Sequence, residues 1–188
     1  MNFDPRLWRG GPNIEDLGQL AVPSGRVLVC DPGTLFAPVP VSVPAGRYPV
    51  RVLRAANRRN SAASIVLGPG EPVTWEEVGA YGVDAGMSGF FDADLLERLD
   101  ATDFETSIYD DLISLHLDPA EQLGRSGALV PFEGGAFSAC GSGWGDGMYP
   151  VHLGLGGDGE PVVVITTFMD DEDDEDDEDD GDEPTERA

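Results

Sequence analysis

Four aspartates, Asp31, Asp84, Asp92 and Asp146, are the side chains of this sequence whose settings could support chemistry. Asp31, Asp84 and Asp146 abut glycine-bearing ends of β-like segments. Loops at such ends are where oxygen ligands for a divalent metal and acid–base carboxylate pairs are assembled. Gathered at one end of a sheet, with Asp92 as a base or supporting group, they would make a metal-assisted hydrolase whose cofactor is a divalent cation. The same residues have a plainer use: Asp before Pro or Gly is turn chemistry, and Asp92 can cap a helix. On that reading no cofactor is expected.

A second constellation is cationic. Arg47, Arg51, Arg54, Arg58 and Arg59 crowd one short stretch of a chain that has no lysine. If this stretch is a strand, Arg47, Arg51 and Arg59 share the face opposite Tyr48, Val50 and Val52, a positive strip suited to an anion or a partner. His152 takes the place of Arg51 in a second copy of the local pattern. The alternative is a solvated face whose arginines pair with nearby carboxylates.

Other reactive motifs fail on inspection. Gly154-Leu155-Gly156-Gly157-Asp158-Gly159 spells G-x-G-x-x-G but lies between two apolar β runs, so it reads as a hairpin turn. A phosphate loop needs the missing lysine, and neither Ser88 nor Ser142 completes G-x-S-x-G. The segment from Asp176 departs from a calcium loop at its third position (Glu178) and its twelfth (Arg187). His116 reads as a helix-face core residue, and Cys30 and Cys140 as two buried thiols in a reducing compartment.

The formal net charge is −25, and residues 170–188 hold 14 of the 36 acidic side chains. Eleven consecutive carboxylates bury nothing, so that tail is expected to be disordered. Residues 1–169 remain acidic without it and are expected to form one domain, large enough for a core without disulfides or metals. An acidic body argues against a nucleic-acid binder and suits a basic protein partner. No apolar run spans a membrane and no secretory leader opens the chain, so the expected compartment is the cytoplasm.

The elements that must position these residues follow from turn signals and periodicity. Arg26–Cys30 reads as a buried strand stopped by Asp31-Pro32-Gly33, and 36–43 as an edge strand at best. The pattern G-x-Y-P-V occurs twice, at Gly46–Val50 and Gly147–Val151, each with a glycine expected to supply unusual backbone angles and a proline early in a strand. Each copy begins a hairpin-like unit, 47–67 and 149–168. Thr74-Trp75-Glu76-Glu77 has the form of a capping box and predicts a short helix from Trp75 to about Gly79. Asp92 caps a helix to Leu99. Thr102 and Glu105 start another reaching about Leu117, with Ile108, Leu112, Leu115 and His116 on one buried face. The expected fold is therefore α+β: a mostly antiparallel sheet from two hairpin-like units, with two or three helices packed on one face.

Five segments in order carry a resemblance: Arg26–Pro32, Val43–Val50, Trp75–Glu77, Val83–Gly86 with Asp92, and Gly143–Val151. Together, over about residues 25–168, they resemble the bacterial family known as domain of unknown function 4241. The resemblance implies a cytoplasmic bacterial α+β domain, assigns no catalytic residue and does not include the acidic tail. Two functional readings remain open from the sequence. One is a non-enzymatic binding module of the immunity type, and the other is the aspartate-based hydrolase.

Overall fold

The computed structural model describes residues 13–98, 112–122, 124–132 and 134–168. Within them the chain forms eleven strands: β1 (Ile14–Val22), β2 (Arg26–Cys30), β3 (Val39–Ser42), β4 (Gly46–Arg54), β5 (Asn60–Val66), β6 (Thr74–Val83), β7 (Met87–Asp92), β8 (Gly127–Phe132), β9 (Gly135–Gly141), β10 (Gly147–Leu155) and β11 (Pro161–Thr167). Among the described residues, helix is confined to α1 (Ala93–Arg98), a π-helical turn at Leu112–Leu117 and α2 (Asp118–Gln122). All recorded strand pairs are antiparallel. They build a six-stranded sheet in the order β1-β4-β5-β11-β10-β6 and a five-stranded sheet in the order β3-β2-β7-β9-β8.

The two sheets pack face to face, because one apolar cluster draws on both. Val50 and Val52 of β4, Ile65 of β5 and Val151 of β10 meet Val27 and Val29 of β2 and Phe90 of β7. A second cluster lies on the far face of the smaller sheet, where Cys30, Phe91 and Phe137 pack with Leu95 of α1 and Leu112. β7 is buried along its whole length because it separates these two cores. Its period-2 alternation sends Ser88 and Phe90 inward between the sheets and Met87 and Phe91 toward the helices. Burying a side chain of this size contributes about 1.5–3 kcal/mol, so the interleaved valines and phenylalanines dominate the fold's stability.

This architecture overturns the α+β expectation. The chain is a two-sheet antiparallel fold with short helical segments, not one sheet under two or three helices. Thr74–Glu77 begins β6 instead of a helix: from Thr74 to Val83 that strand pairs with β10 along nearly its full length, and such pairing outweighs a local capping signal. Gly79 and Gly82 within the segment also disfavour helix. Of the helix expected over 102–117, residues 102–111 and hence Ile108 lie outside the described residues. In its remainder Leu112 is buried while Leu115 is 62% exposed, so the anticipated apolar face is not continuous. The wider π winding shifts the side chains off an α-helical stripe. The tail 170–188 also lies outside the described residues.

The two hairpin-like units are present as β4–β5 and β10–β11, adjoining through the β5–β11 pair. The six-stranded sheet is thus two three-stranded halves, β1-β4-β5 and β6-β10-β11, each with a copy of G-x-Y-P-V at the start of its central strand. Pro49 and Pro150 lie where those strands pair on one side only, with β1 and β6 respectively, so their missing N–H leaves no ladder bond unmade.

The repeated glycines serve a different purpose from the unusual angles expected of them. Neither Gly46 nor Gly147 has positive φ. Instead each tyrosine two residues later folds back over its glycine and donates its hydroxyl to the carbonyl four residues upstream, Tyr48 to Pro44 O and Tyr149 to Gly145 O. A Cβ on Gly46 would stand 2.8 Å from the Tyr48 ring.

Candidate functional site

The aspartates separate by role and by position. Asp31 is fully buried; its Oδ1 accepts Gly33 N–H at 2.7 Å, and its Oδ2 accepts the N–H groups of Asp84 and Ala85 at 3.0 and 2.7 Å. It thereby fastens the end of β2 to the β6–β7 turn. Asp84 and Asp146, both exposed, extend from the paired ends of β6 and β10 near Asp31. Asp92 lies at the opposite end of the β2–β7 pair. There it caps α1 through Asp94 N–H at 3.1 Å and accepts the backbone and hydroxyl of Ser24 at 3.0 and 2.6 Å. Among the described residues no group of three or more His, Cys, Asp or Glu side chains is placed to hold a metal ion.

The arginines also divide. Arg47 and Arg51 lie on the face of the large sheet opposite Tyr48, Val50 and Val52, as expected. Asp16, Arg51, Ser64, Ile165, His152 and Glu77 form one transverse row across that sheet. Arg51 and His152 are therefore three strand spacings apart, about 14 Å, too far to act on one small group. His152 is buried and stands 4.0 Å from Glu77; burial lowers its pKa below the ordinary histidine value, and Glu77 opposes that effect. Arg59 leaves the strip altogether. It sits in the β4–β5 turn, its guanidinium 3.9 Å from the centre of the Trp144 ring.

That turn forms one wall of a cavity of about 400 Å³, lined by the guanidinium-bearing residues Arg54, Arg58, Arg59 and Arg125. The turn is wound so that consecutive arginines face it. Arg58 N–H donates to Ala55 O at 3.0 Å, Arg59 N–H to Asn57 Oδ1 at 3.0 Å, and Arg58 itself adopts φ 71°. Asn60, at the head of β5, fixes the wall to the smaller sheet by donating through Nδ2 to Ser126 O and Gly141 O at 3.0 and 2.9 Å. Gly143 closes the same corner. A Cβ there would lie 2.2 Å from Asn60 O, so only glycine lets the β9–β10 loop approach this closely.

Electrostatically the four cations are unequal. Arg125 Nε meets Glu15 Oε1 at 3.0 Å, and Glu15 Oε2 accepts Ser126 N–H at 2.7 Å. Burial would raise the Glu15 pKa, but Arg125 and Ser126 outweigh it and hold the carboxyl below its usual value. Arg54, Arg58 and Arg59 pair with no carboxylate among the described residues. Two buried polar atoms in this wall lack a hydrogen-bond partner, Arg54 Nε and the hydroxyl of Ser126, a residue only 6% exposed. Asp118 and Glu121, on the helical side, supply the cavity's acidic lining.

Of the four arginines lining this cavity, only Arg59 is among the sequence-derived anion- or partner-binding candidates. Arg54 and Arg58 belonged to the same cluster but were dropped because a strand's period-2 rule was extended through a turn. Arg125 is 66 residues from Arg59 and carries no local signal. The chance G-x-G-x-x-G segment forms the β10–β11 turn, with Gly156 N–H to Glu160 O at 2.8 Å and Gly159 at φ 82°. No helix among the described residues is long and apolar enough to cross a membrane.

No curated protein and no solved structure matches the chain. A family model does: the one described as protein of unknown function (DUF4241) matches residues 20–166, from the end of β1 into β11, a span that holds the cavity and both copies of G-x-Y-P-V. The chain belongs to the DUF4241 family.

Proposed function

We propose that this protein is a binding module that recognises an anionic group in the arginine-lined cavity. The observation that carries this reading is the set of cations without carboxylate partners, Arg54, Arg58 and Arg59, lining one cavity. Three guanidiniums that line one cavity without carboxylate partners repel one another. An acceptor-rich anion offsets that repulsion, since guanidinium forks match carboxylate and phosphoryl oxygens. Among the described residues of the wall none pairs a nucleophile with a base, so recognition fits the cavity better than bond-making does.

The immunity-type reading is a narrower form of the same proposal. The acidic surface favours rapid encounter with a basic protein, while the cavity would take a carboxylate presented by that partner. Calorimetric titration of the full chain with pyrophosphate is the direct test. Saturable binding is expected, with at least tenfold weaker binding in an Arg58→Gln/Arg59→Gln variant. The reading fails if heat is absent both from the natural chain and from a full-length version whose carboxylates at 170–180 are replaced by amides.

A further inference from the structure

The last described residue, Phe168, leaves the fold at the rim of the cavity. Its N–H donates to Ser61 O at 2.8 Å, one residue from the wall residue Asn60. Its Cβ lies 3.4 Å from where a Cβ on the wall residue Gly143 would stand. Its ring meets Tyr149 edge-on, which anchors the end of the described fold at this corner. The chain that follows begins Met169 and then runs through eleven consecutive carboxylates, Asp170 to Asp180. The densest negative charge in the sequence thus begins within a few residues of the cavity's three unneutralised arginines.

We infer that the acidic C-terminal segment is the cavity's own intramolecular occupant, so that an outside anion must displace it. The inference rests on the anion-binding reading above and adds its regulation. Geometry permits the contact, because an extended chain covers about 3.3–3.6 Å per residue, so the first carboxylates reach the cavity without any rearrangement of the fold. Tethering favours it, since a short flexible linker presents its group at an effective concentration on the order of millimolar. The body's overall negative charge does not prevent it: at physiological salt the Debye length is about 8 Å, so the tail responds to the nearby guanidiniums more than to distant carboxylates. Repetition helps as well, because many equivalent carboxylates can exchange within the site and little ordering entropy is lost.

The test compares the natural full chain with the full-length version bearing Asn and Gln at 170–180, at physiological salt, with pyrophosphate as the probe. The amide version is expected to bind at least tenfold tighter. A synthetic peptide of sequence 170–180 should compete with pyrophosphate on the amide version, and Arg58→Gln/Arg59→Gln should abolish that competition. Equal, arginine-dependent affinities in the two chains would overturn the tail inference and leave the binding reading intact. A tenfold difference that persists in the arginine variant, or peptide binding that ignores those arginines, would also overturn it by showing a bulk charge effect. Absence of binding in both chains removes the site and the inference together.

Discussion

At the residue scale, Gly46 and Gly147 occupy equivalent positions in two copies of one motif and yet tolerate a methyl group differently. The Tyr48 ring closes to 2.8 Å of the Gly46 Cβ position, whereas Tyr149 leaves 3.5 Å at Gly147. Gly46→Ala must push the ring and its hydrogen bond to Pro44 aside, an overpacking cost of about 1–3 kcal/mol. Gly147→Ala should cost well under 1 kcal/mol, because contact at that distance is ordinary. Thermal melts of the two single variants check this; equal midpoints would show that Tyr48 does not need its glycine. The motif was legible as a repeat, but its purpose was not. A string of letters does not say whether a glycine is there for its φ or for the ring that lies over it.

At the element scale, Tyr81 ties the two sheets together. It extends from β6 into the space between them, where its hydroxyl meets Ser88 Oγ of β7 at 2.5 Å and Thr166 Oγ1 of β11 at 3.2 Å. Burial drives its phenol pKa well above the normal value, so the hydroxyl stays protonated. Tyr81→Phe should cost about 1–3 kcal/mol, because Ser88 and Thr166 would lose their partner in a dry layer. Urea unfolding reads that loss as a lower midpoint at unchanged slope, and an unchanged midpoint would mean the three hydroxyls contribute nothing net. Strands with strong apolar runs and clear turns, β2, β5 and β11, were readable in advance. β1, β7 and β8 were not: β1 is an edge strand bulged between Asp16 and Gly18, β8 carries Pro131, and β7, bounded by Gly86 and the Asp92 cap, shows no polar alternation because both its faces are buried. The cavity was less legible still, since its cations come from a turn and from the approach to β8, and only tertiary structure sets them side by side.

On the scale of the whole molecule, the two thiols report on global integrity. Cys30 lies in the helix-side core and Cys140 between the sheets; both are buried and free. Burial raises both pKa values, pushing Cys140 up to about 12. The thiolate is the reactive form, so the native protein at pH 8 should leave a disulfide reagent such as DTNB unreacted while denaturant releases two thiols. Rapid labelling of the native protein would show that one core opens locally, without global unfolding.

The order of strands has a consequence for how this protein is made. β1 to β5 precede β6 to β11 in the chain, and among the described residues the two groups are hydrogen-bonded along two seams, β5 against β11 and β2 against β7. During synthesis, therefore, the first half emerges with β2 and β5 each showing a raw edge whose natural partner has not yet been translated. β5 in particular offers Ala62, Ala63, Ile65 and Val66, an apolar ladder of the kind that recruits strands from other chains. β11, the strand that covers it, is the last of the described strands to leave the ribosome. A message truncated upstream of β11 thus yields a product with an open, adhesive sheet, and until β11 arrives the same edge is exposed on the growing chain.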